Sequence, residues 1–459
     1  KPENRVRIIL SDAVCRLQDG SSLHLESDIV WTWSDPVLQP FPGQRVRGRF
    51  RLKPVRGFVN PGTWDVRFYW AARGVGYRTY TEGGEEQVQV SGEPGRGDLS
   101  RQAIQRAILE RTDPGPGQGL LLALLLGDQS RLDYDTLDLV RRASLAHSLA
   151  LSGLHLGFMI GIGWMLARLA GWIRPSLFLL LPRMKLAVLL AFPLVALYLW
   201  MGQFRPSLVR ASLMFFFWGV LLLQGRRKIW LDGLFFALLV ILLASPLSVH
   251  DLGLQLSAVA VAGIILVWPL CYERLQQEIS GARRRYLLYP ACILGISAVA
   301  NASLLPLMAF NFGQVSPHIY LNLIWIPALG VVVMPLGLLG LGLSFLPGLE
   351  PASGWLLQAS ASVLEYMVGL LQAQNLAGWL ETWITLRPKW PEVAGYWLLF
   401  LAAGLGIASG RRIPRSILFL GLLLLLLPHL TKEIRALQDR AAVSLVDVGQ
   451  GQAVVVETP

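Results

Sequence analysis

The sequence is poor in the residues that staple small secreted folds or build metal centres. Its three cysteines, Cys15, Cys271 and Cys292, are too few and too scattered for a disulfide framework and read as free thiols. The six histidines, at 24, 147, 155, 250, 318 and 429, show no H-E-x-x-H pair or other ligand cluster, so no metal site is assigned. No Walker A loop occurs, which excludes transport driven by ATP hydrolysis on this chain. Charge is scarce too: 15% of the 459 residues are charged against 53% hydrophobic, outside the range of ordinary soluble proteins. No cofactor is expected and no catalytic residue is assigned.

What the chain has in quantity is apolar sequence. From Leu145 onward, runs of roughly 16 to 25 apolar residues recur, each long enough for about 30 Å of hydrocarbon. Spans are expected at 146–168, 186–202, 207–224, 229–244, 253–270, 287–312, 319–346 (in two pieces if broken near Pro335), 393–409 and 414–429. The segment 352–372 reads as amphipathic and interfacial. Residues 100–111 read as a short amphipathic helix ended by "DPGPG", and "GLLLALLLGD" at 119–128 is too short to span, so it reads as interfacial or re-entrant.

The formal charge of +11 is distributed unevenly. Arg168, Arg174, Arg183 and Lys185 crowd one loop; Arg226, Arg227 and Lys228 a second; Arg274, Arg283, Arg284 and Arg285 a third; Arg411, Arg412 and Arg415 a fourth. The alternate loops 245–252 and 313–318 carry no Lys or Arg, and 202–206 carries only Arg205. The positive-inside rule makes the four rich loops cytoplasmic, so the soluble parts at both ends face outward.

Residues 1–97 form a separate domain of alternating polar and apolar runs between turns, expected to be a small β-barrel of the OB kind. Its run "RVRGRFRLK" puts Arg45, Arg47, Arg49, Arg51 and Lys53 on one strand face and Val46, Phe50 and Leu52 on the other. Two readings stand: a solvated face, or a surface tracking a polyanion backbone. Trp31 and Trp33 share a face as well, as core aromatics or as stacking platforms for bases.

After the interfacial segment 98–145, the membrane part at 146–430 opens on "HSLALSGLHLG". Wound as one helix, His147, Ser148, Ser152 and His155 fall within an arc of about 140°, a polar stripe at the mouth of a span. The two histidines lie about 12 Å apart along the axis, too far for one metal ion. Hydrolysis by Ser152 is disfavoured because position 150 is Ala150, where a G-x-S-G motif needs glycine. Packing through small residues is the plain alternative, whereas intramembrane histidines favour a wet cavity. Arg205, Arg210, Gln255, Asn301, Asn311 and Asn322 add polar groups to other spans, and together they are expected to line a channel. "SLVDVGQGQAVVVETP", within 431–459, reads as a strand, a glycine-rich turn and a second strand. Lys1 in place of Met, and an end directly after a strand pattern, make both ends read as cut.

Taken in order, "NPGTWDVRFYWAARGVGY", "LLLGDQS", "HSLALSGLHLG", "RPSLVRASLM", "HDLGLQLS", "FNFGQVSPHIYLNLIWIPAL" and "SLVDVGQGQAVVVE" resemble the ComEC family of natural transformation over essentially the whole chain. The resemblance implies a polytopic α-helical membrane protein with an N-terminal OB-like domain and the start of an α/β metallo-β-lactamase-like domain. It implies a channel that passes single-stranded DNA across the bacterial inner membrane, with an external DNA receptor and a cytoplasmic helicase-like ATPase as partners. The final hairpin departs from the family in having Gln452 where Asp is usual, and that domain's metal ligands and any nuclease chemistry would lie past Pro459. The rival class is a small-solute transporter or membrane enzyme with an accessory OB-like domain, for which an internal inverted repeat would speak.

Overall fold

The computed structural model describes residues 5–16, 21–34, 40, 43–58, 60, 65–83, 88–93, 96–226, 230–279, 284–409, 414–436, 442–448, 451 and 453–457. Arg227, Lys228, Arg283, Arg411 and Arg412 of the basic loops, and Gln452 of the final hairpin, lie outside the described residues. The chain divides into two units, residues 1–103 with 429–459 and residues 104–428.

In the first unit the alternating runs form β1 (Arg5–Leu10), β2 (Val14–Arg16), β3 (Ser22–His24), β4 (Asp28–Ser34), β5 (Arg45–Gly48), β6 (Lys53–Pro54), β7 (Val75–Glu82) and β8 (Val88–Ser91). One short helix, α1 (Val66–Ala71), is started by Asp65, whose carboxylate accepts the Phe68 N–H at 2.8 Å. β4 pairs antiparallel with β1, from Arg5↔Ser34 to Leu10↔Ile29, and parallel with β7. A parallel pair cannot be closed by a hairpin, and the stretch carrying β5, β6 and α1 makes the crossover.

The expected barrel closure is not formed among the described residues. The sheet has the order β1-β4-β7-β6, while β5–β8 and β2–β3 are separate ribbons. The reason lies in the basic run, which is not one strand: β5 stops at Gly48 and pairs with β8, whereas Lys53 and Pro54 pair with β7. Trp31 and Trp33 lie on one face of β4, packed with Val88, Ile8, Leu10, Val46, Phe50 and Val90. Val30 lies on the other face with Val55, Val75, Val66 and Trp70. β4 is therefore covered on both sides, which explains its near-continuous burial.

The second unit is helical. From the end of α2 (Arg96–Leu109) it runs through α3 (Pro116–Leu126), α4 (Tyr134–Arg142), α5 (Ala146–Leu149), α6 (Gly153–Ile173), α7 (Leu177–Leu180), α8 (Arg183–Met201), α9 (Pro206–Leu223), α10 (Trp230–Ala244), α11 (Leu252–Glu278) and α12 (Arg284–Phe312). It continues through α13 (Asn322–Pro327), α14 (Met334–Leu343), α15 (Glu350–Leu376) and α16 (Trp390–Ser409) into α17 (Arg415–Ala436), with a small pair β9 (Gln314–Val315) and β10 (Trp383–Ile384). The hairpin β11 (Ala442–Val446) and β12 (Ala453–Glu457) belongs to the first unit.

Among the described residues, six helices are long and apolar enough to cross a membrane: Gly153–Ile173, Arg183–Met201, Pro206–Leu223, Leu252–Glu278, Tyr286–Phe312 and Ile319–Leu343. Of the other expected spans, 229–244 and 414–429 correspond to shorter apolar helices and 393–409 lies within α16. The helix expected to break near Pro335 keeps winding through that residue, from Ala328–Val333 into α14. The irregularity falls earlier, as a π turn over Ala328–Val333 directly after Pro327.

The apolar run 119–128 presents no face to a surface. Every residue of α3 from Gly117 to Leu126 is buried, in a core shared with α2, α4, α14 and α15. A helix apolar all round is stable only with neighbours on every side. α15 supplies one of them: its inward stripe is Ser353, Leu357, Ser360, Ala361, Leu364, Met367, Val368 and Leu371, at helical spacing.

Candidate functional site

The segment expected as one helix from residue 146 is broken. α5 ends at Leu149, Ala150 and Ser152 are extended (φ −79°, ψ 121° and φ −130°, ψ 179°), and α6 starts at Gly153. The local cause is a capping box. The Ser152 hydroxyl accepts the Leu154 N–H, and His155 reaches back so that its Nδ1 accepts the Ser152 N–H, both at 3.3 Å. Because an amide N–H can only donate, Nδ1 accepts and the ring proton sits on Nε2.

The break cancels the helical stripe. Ser148 and His155 are buried, Ser152 is half-buried, and His147 reaches the surface. His147 Nδ1 lies 3.1 Å from the Ser144 carbonyl oxygen. Only Ser152 and His155 of the four touch each other.

Unwinding frees carbonyls, and residues from other helices take them up. Gln129 Nε2 donates to Leu149 O at 3.3 Å, and Ser207 Oγ donates to Leu151 O at 2.7 Å. The Ser148 hydroxyl donates to Leu145 O at 2.7 Å and accepts from Trp325 Nε1 at 2.9 Å. The Arg205 guanidinium donates to Gly127 O at the end of α3. Three sequence motifs therefore meet here: Gly127 and Gln129 from "LLLGDQS", Leu149 and Leu151 from "HSLALSGLHLG", and Arg205 and Ser207 from "RPSLVRASLM". Gly127 is required where it stands, with φ +72°; a Cβ there would lie 3.0 Å from Leu151 Cδ1 and 3.1 Å from Arg205 Nε.

Arg205 is thus placed as a backbone clamp rather than as a free phosphate ligand. Burial lowers its pKa, and the Asp128 carboxylate works against that. Arg210, one turn into α9, is different. It is 3% exposed; among the described residues its one hydrogen bond runs from a terminal nitrogen to Ser257 O at 3.2 Å, and its Nε has no partner. Among the described residues no carboxylate pairs with it. His155 Nε2, Ser212 Oγ and Asn322 Oδ1 are also buried without a partner.

Of the remaining expected lining residues, Asn301, Asn311 and Gln255 are tied within their own segments. Asn301 Nδ2 donates to Ser297 O and Asn311 Nδ2 to Leu307 O, each at 2.9 Å and four residues back. Gln255 Nε2 donates to Val249 O at 2.8 Å. Asn322 Nδ2 reaches across to Ser297 Oγ at 3.1 Å. No group of three or more His, Cys, Asp or Glu is gathered for a metal among the described residues.

In the first unit, Arg45, Arg47, Arg49, Arg51 and Lys53 are all exposed, and none makes an ion pair among the described residues. Trp31 and Trp33 are not platforms for bases. Both rings are 0% exposed and stack on each other at 4.7 Å. Their Nε1 atoms donate to Thr81 Oγ1 at 2.7 Å and Gly83 O at 3.1 Å. Burying about 200 Å² of ring contributes roughly 5 kcal/mol each, against about 1–3 kcal/mol gained by stacking one base. The core wins.

Sequence reasoning missed Gly127, Gln129, Tyr198, Ser207, Trp325 and Glu365. Gly127 had a signal, since glycine directly after an apolar helix is a C-cap. Ser152 and His155 had another, an N-cap serine with an acceptor three residues on. Trp325 and Glu365 had none, because both act across long stretches of chain.

A family model described as "Competence protein" matches residues 124–410. The chain is 29% identical over 428 residues to Competence protein ComA of Neisseria gonorrhoeae, covering 91% of this chain and 56% of that one. It is 26% identical over 420 residues to Uncharacterized protein YcaI of Escherichia coli, covering 90% and 52%. It is 35% identical over 219 residues to Recombination protein 2 of Haemophilus influenzae, covering 47% and 26%. The chain spans about half or less of the length of the curated relatives it matches. No solved structure matches it.

Proposed function

The chain belongs to the competence-protein family, and from that premise we propose that it is a conduit for single-stranded DNA in the uptake of external DNA. The observation that carries this reading is Arg210. A guanidinium in a bilayer costs up to about 2.5–3.5 kcal/mol on the gentler scale, the value for a helix centre, and Arg210, one turn into α9, has a buried, unpartnered Nε and no paired carboxylate among the described residues. A passing phosphate satisfies it: the charges are opposite, and the planar fork matches two phosphate oxygens. The unwound backbone at 150–152 supports the same reading, since non-helical backbone in a membrane unit is tolerated where it is buried in protein or faces water.

On this reading the protein sits in the bacterial cytoplasmic membrane with its N-terminal β domain outside, the orientation that the basic loops favour. The exposed Arg45, Arg47, Arg49, Arg51 and Lys53 hold the DNA backbone without reading sequence. An external receptor delivers the DNA, and a cytoplasmic helicase-like ATPase supplies the work that a chain without a Walker A loop cannot. The test is transformation by external DNA in cells that depend on this protein. Arg210→Gln is expected to reach the membrane at the wild-type level while uptake falls sharply. Normal uptake at normal abundance would overturn the assignment.

A further inference from the structure

Asn60 belongs to no strand and has no role in the proposed conduit. Asn60 nevertheless makes a specific contact within the first unit, with a residue far along the chain. Its Nδ2 donates to Asp447 O at 2.7 Å, and its Oδ1 accepts the Asp447 N–H at 2.7 Å. One side-chain amide thus takes both backbone groups of one residue. That is the exchange two residues make in a hydrogen-bonded pair of an antiparallel ladder, with the amide standing in for a neighbouring strand. The orientation is unambiguous, because the nitrogen can only donate and the oxygen only accept.

Asp447 directly follows β11, which pairs with β12. The hairpin has little core of its own: Val443, Leu445, Val454, Val455 and Val456 are all exposed. A two-stranded hairpin is marginally stable by itself, and the Asn60 pair is one contact to it from outside. Both of these bonds go to backbone atoms of Asp447. Asn60 precedes Pro61, which biases it to extended backbone and limits its freedom.

We infer that the N-terminal β domain is a docking platform for the chain's own C-terminal hairpin, with Asn60 as the residue that holds the Asp447 backbone. The partner it fits is an extended polypeptide edge of this same chain. The inference does not depend on DNA passage, and its test does not read uptake.

The experiment is hydrogen–deuterium exchange on the full chain in lipid nanodiscs. Asn60→Ala is expected to speed exchange in peptides covering 442–448 by about tenfold, the loss of about one net hydrogen bond. Peptides covering β4 and β7 should exchange as in the wild type. Asn60→Asp keeps size and the acceptor but cannot donate to the Asp447 carbonyl, and should give an intermediate rate. Unchanged exchange at 442–448 would overturn the inference. So would faster exchange spreading to β4 and β7 in both variants, since Asn60 would then be holding its own domain together.

Discussion

Glu365 and Arg205 hold opposite ends of one buried helix. The Glu365 carboxylate accepts the Gly117 N–H at 2.6 Å at the start of α3, and the Arg205 guanidinium donates to Gly127 O at its end. Each charge is complementary to the end of the helix dipole it meets. α3 has no charged side chain of its own, so its orphan terminal groups depend on these partners, and Tyr198 takes Leu124 O at 2.9 Å besides.

The two clamps should not weigh equally. Arg205→Gln removes a charged donor from a half-buried carbonyl, and is expected to lower stability by about 1.5–3 kcal/mol. Glu365→Gln keeps an acceptor for the Gly117 N–H and loses only the charge at an exposed site, about 0.3–1 kcal/mol. Thermal unfolding of the detergent-solubilised protein checks the order. Equal losses would mean that α3 is held by packing and not by its ends.

Gly127→Ala should destabilise by about 1–3 kcal/mol, because the residue sits at φ +72° and its new methyl would press on Leu151 and Arg205. Gly157→Ala, with nothing within 4 Å of the added Cβ, is the control and should be neutral or slightly stabilising. A Gly127→Ala protein as stable as the control would remove the argument for the junction at 127, 151 and 205.

The exposed basic residues of the β domain have their own signature. Replacing Arg45, Arg47, Arg49, Arg51 and Lys53 by Gln should weaken binding of single-stranded oligonucleotides and flatten its salt dependence. Each lost phosphate contact takes about 0.7 from the slope of log K against log salt. Trp31→Ala should instead unfold the domain, at a cost of about 3–5 kcal/mol, since it empties the centre of one core face. An unchanged salt slope in the five-fold variant would return those side chains to the solvent.

What was legible in the sequence follows distance along the chain. The helices came from the length of apolar runs, and the charge of the loops came with them. The break at 150–152 was written locally, in Ser152 and His155, but the apolar residues around it matched a continuous helix so well that the capping signal was overridden. The two tryptophans had two readings because alternation gives the face of a strand and not what covers it; β5 and β8, distant in sequence, supply the cover. Glu365 was illegible for the same reason, since an exposed carboxylate on an amphipathic helix looks like solvation until the end of α3 is seen beside it. Gly48 was the missed cue in the basic run, where glycine ends one pairing and lets the chain start another.

His155 carries the last prediction because its two nitrogens separate two roles. Nδ1 starts α6 by accepting the Ser152 N–H, and Nε2 is buried without a partner. Glutamine is the ordinary residue at this place in a capping box, so His155→Gln should keep the helix start and hold stability within about 0.5–1 kcal/mol of the wild type. His155→Ala removes the acceptor and leaves a void, and is expected to cost about 2–4 kcal/mol and to lower the amount of protein in the membrane. If the ring only caps, uptake should follow abundance in both variants. The buried Nε2–H, a donor with nothing to donate to, argues for more: a group that passes through the site can accept from it, as water or a phosphate oxygen would. His155→Gln is therefore expected to be as abundant as wild type and still to take up less DNA. Full uptake by that variant would leave His155 a cap and nothing else.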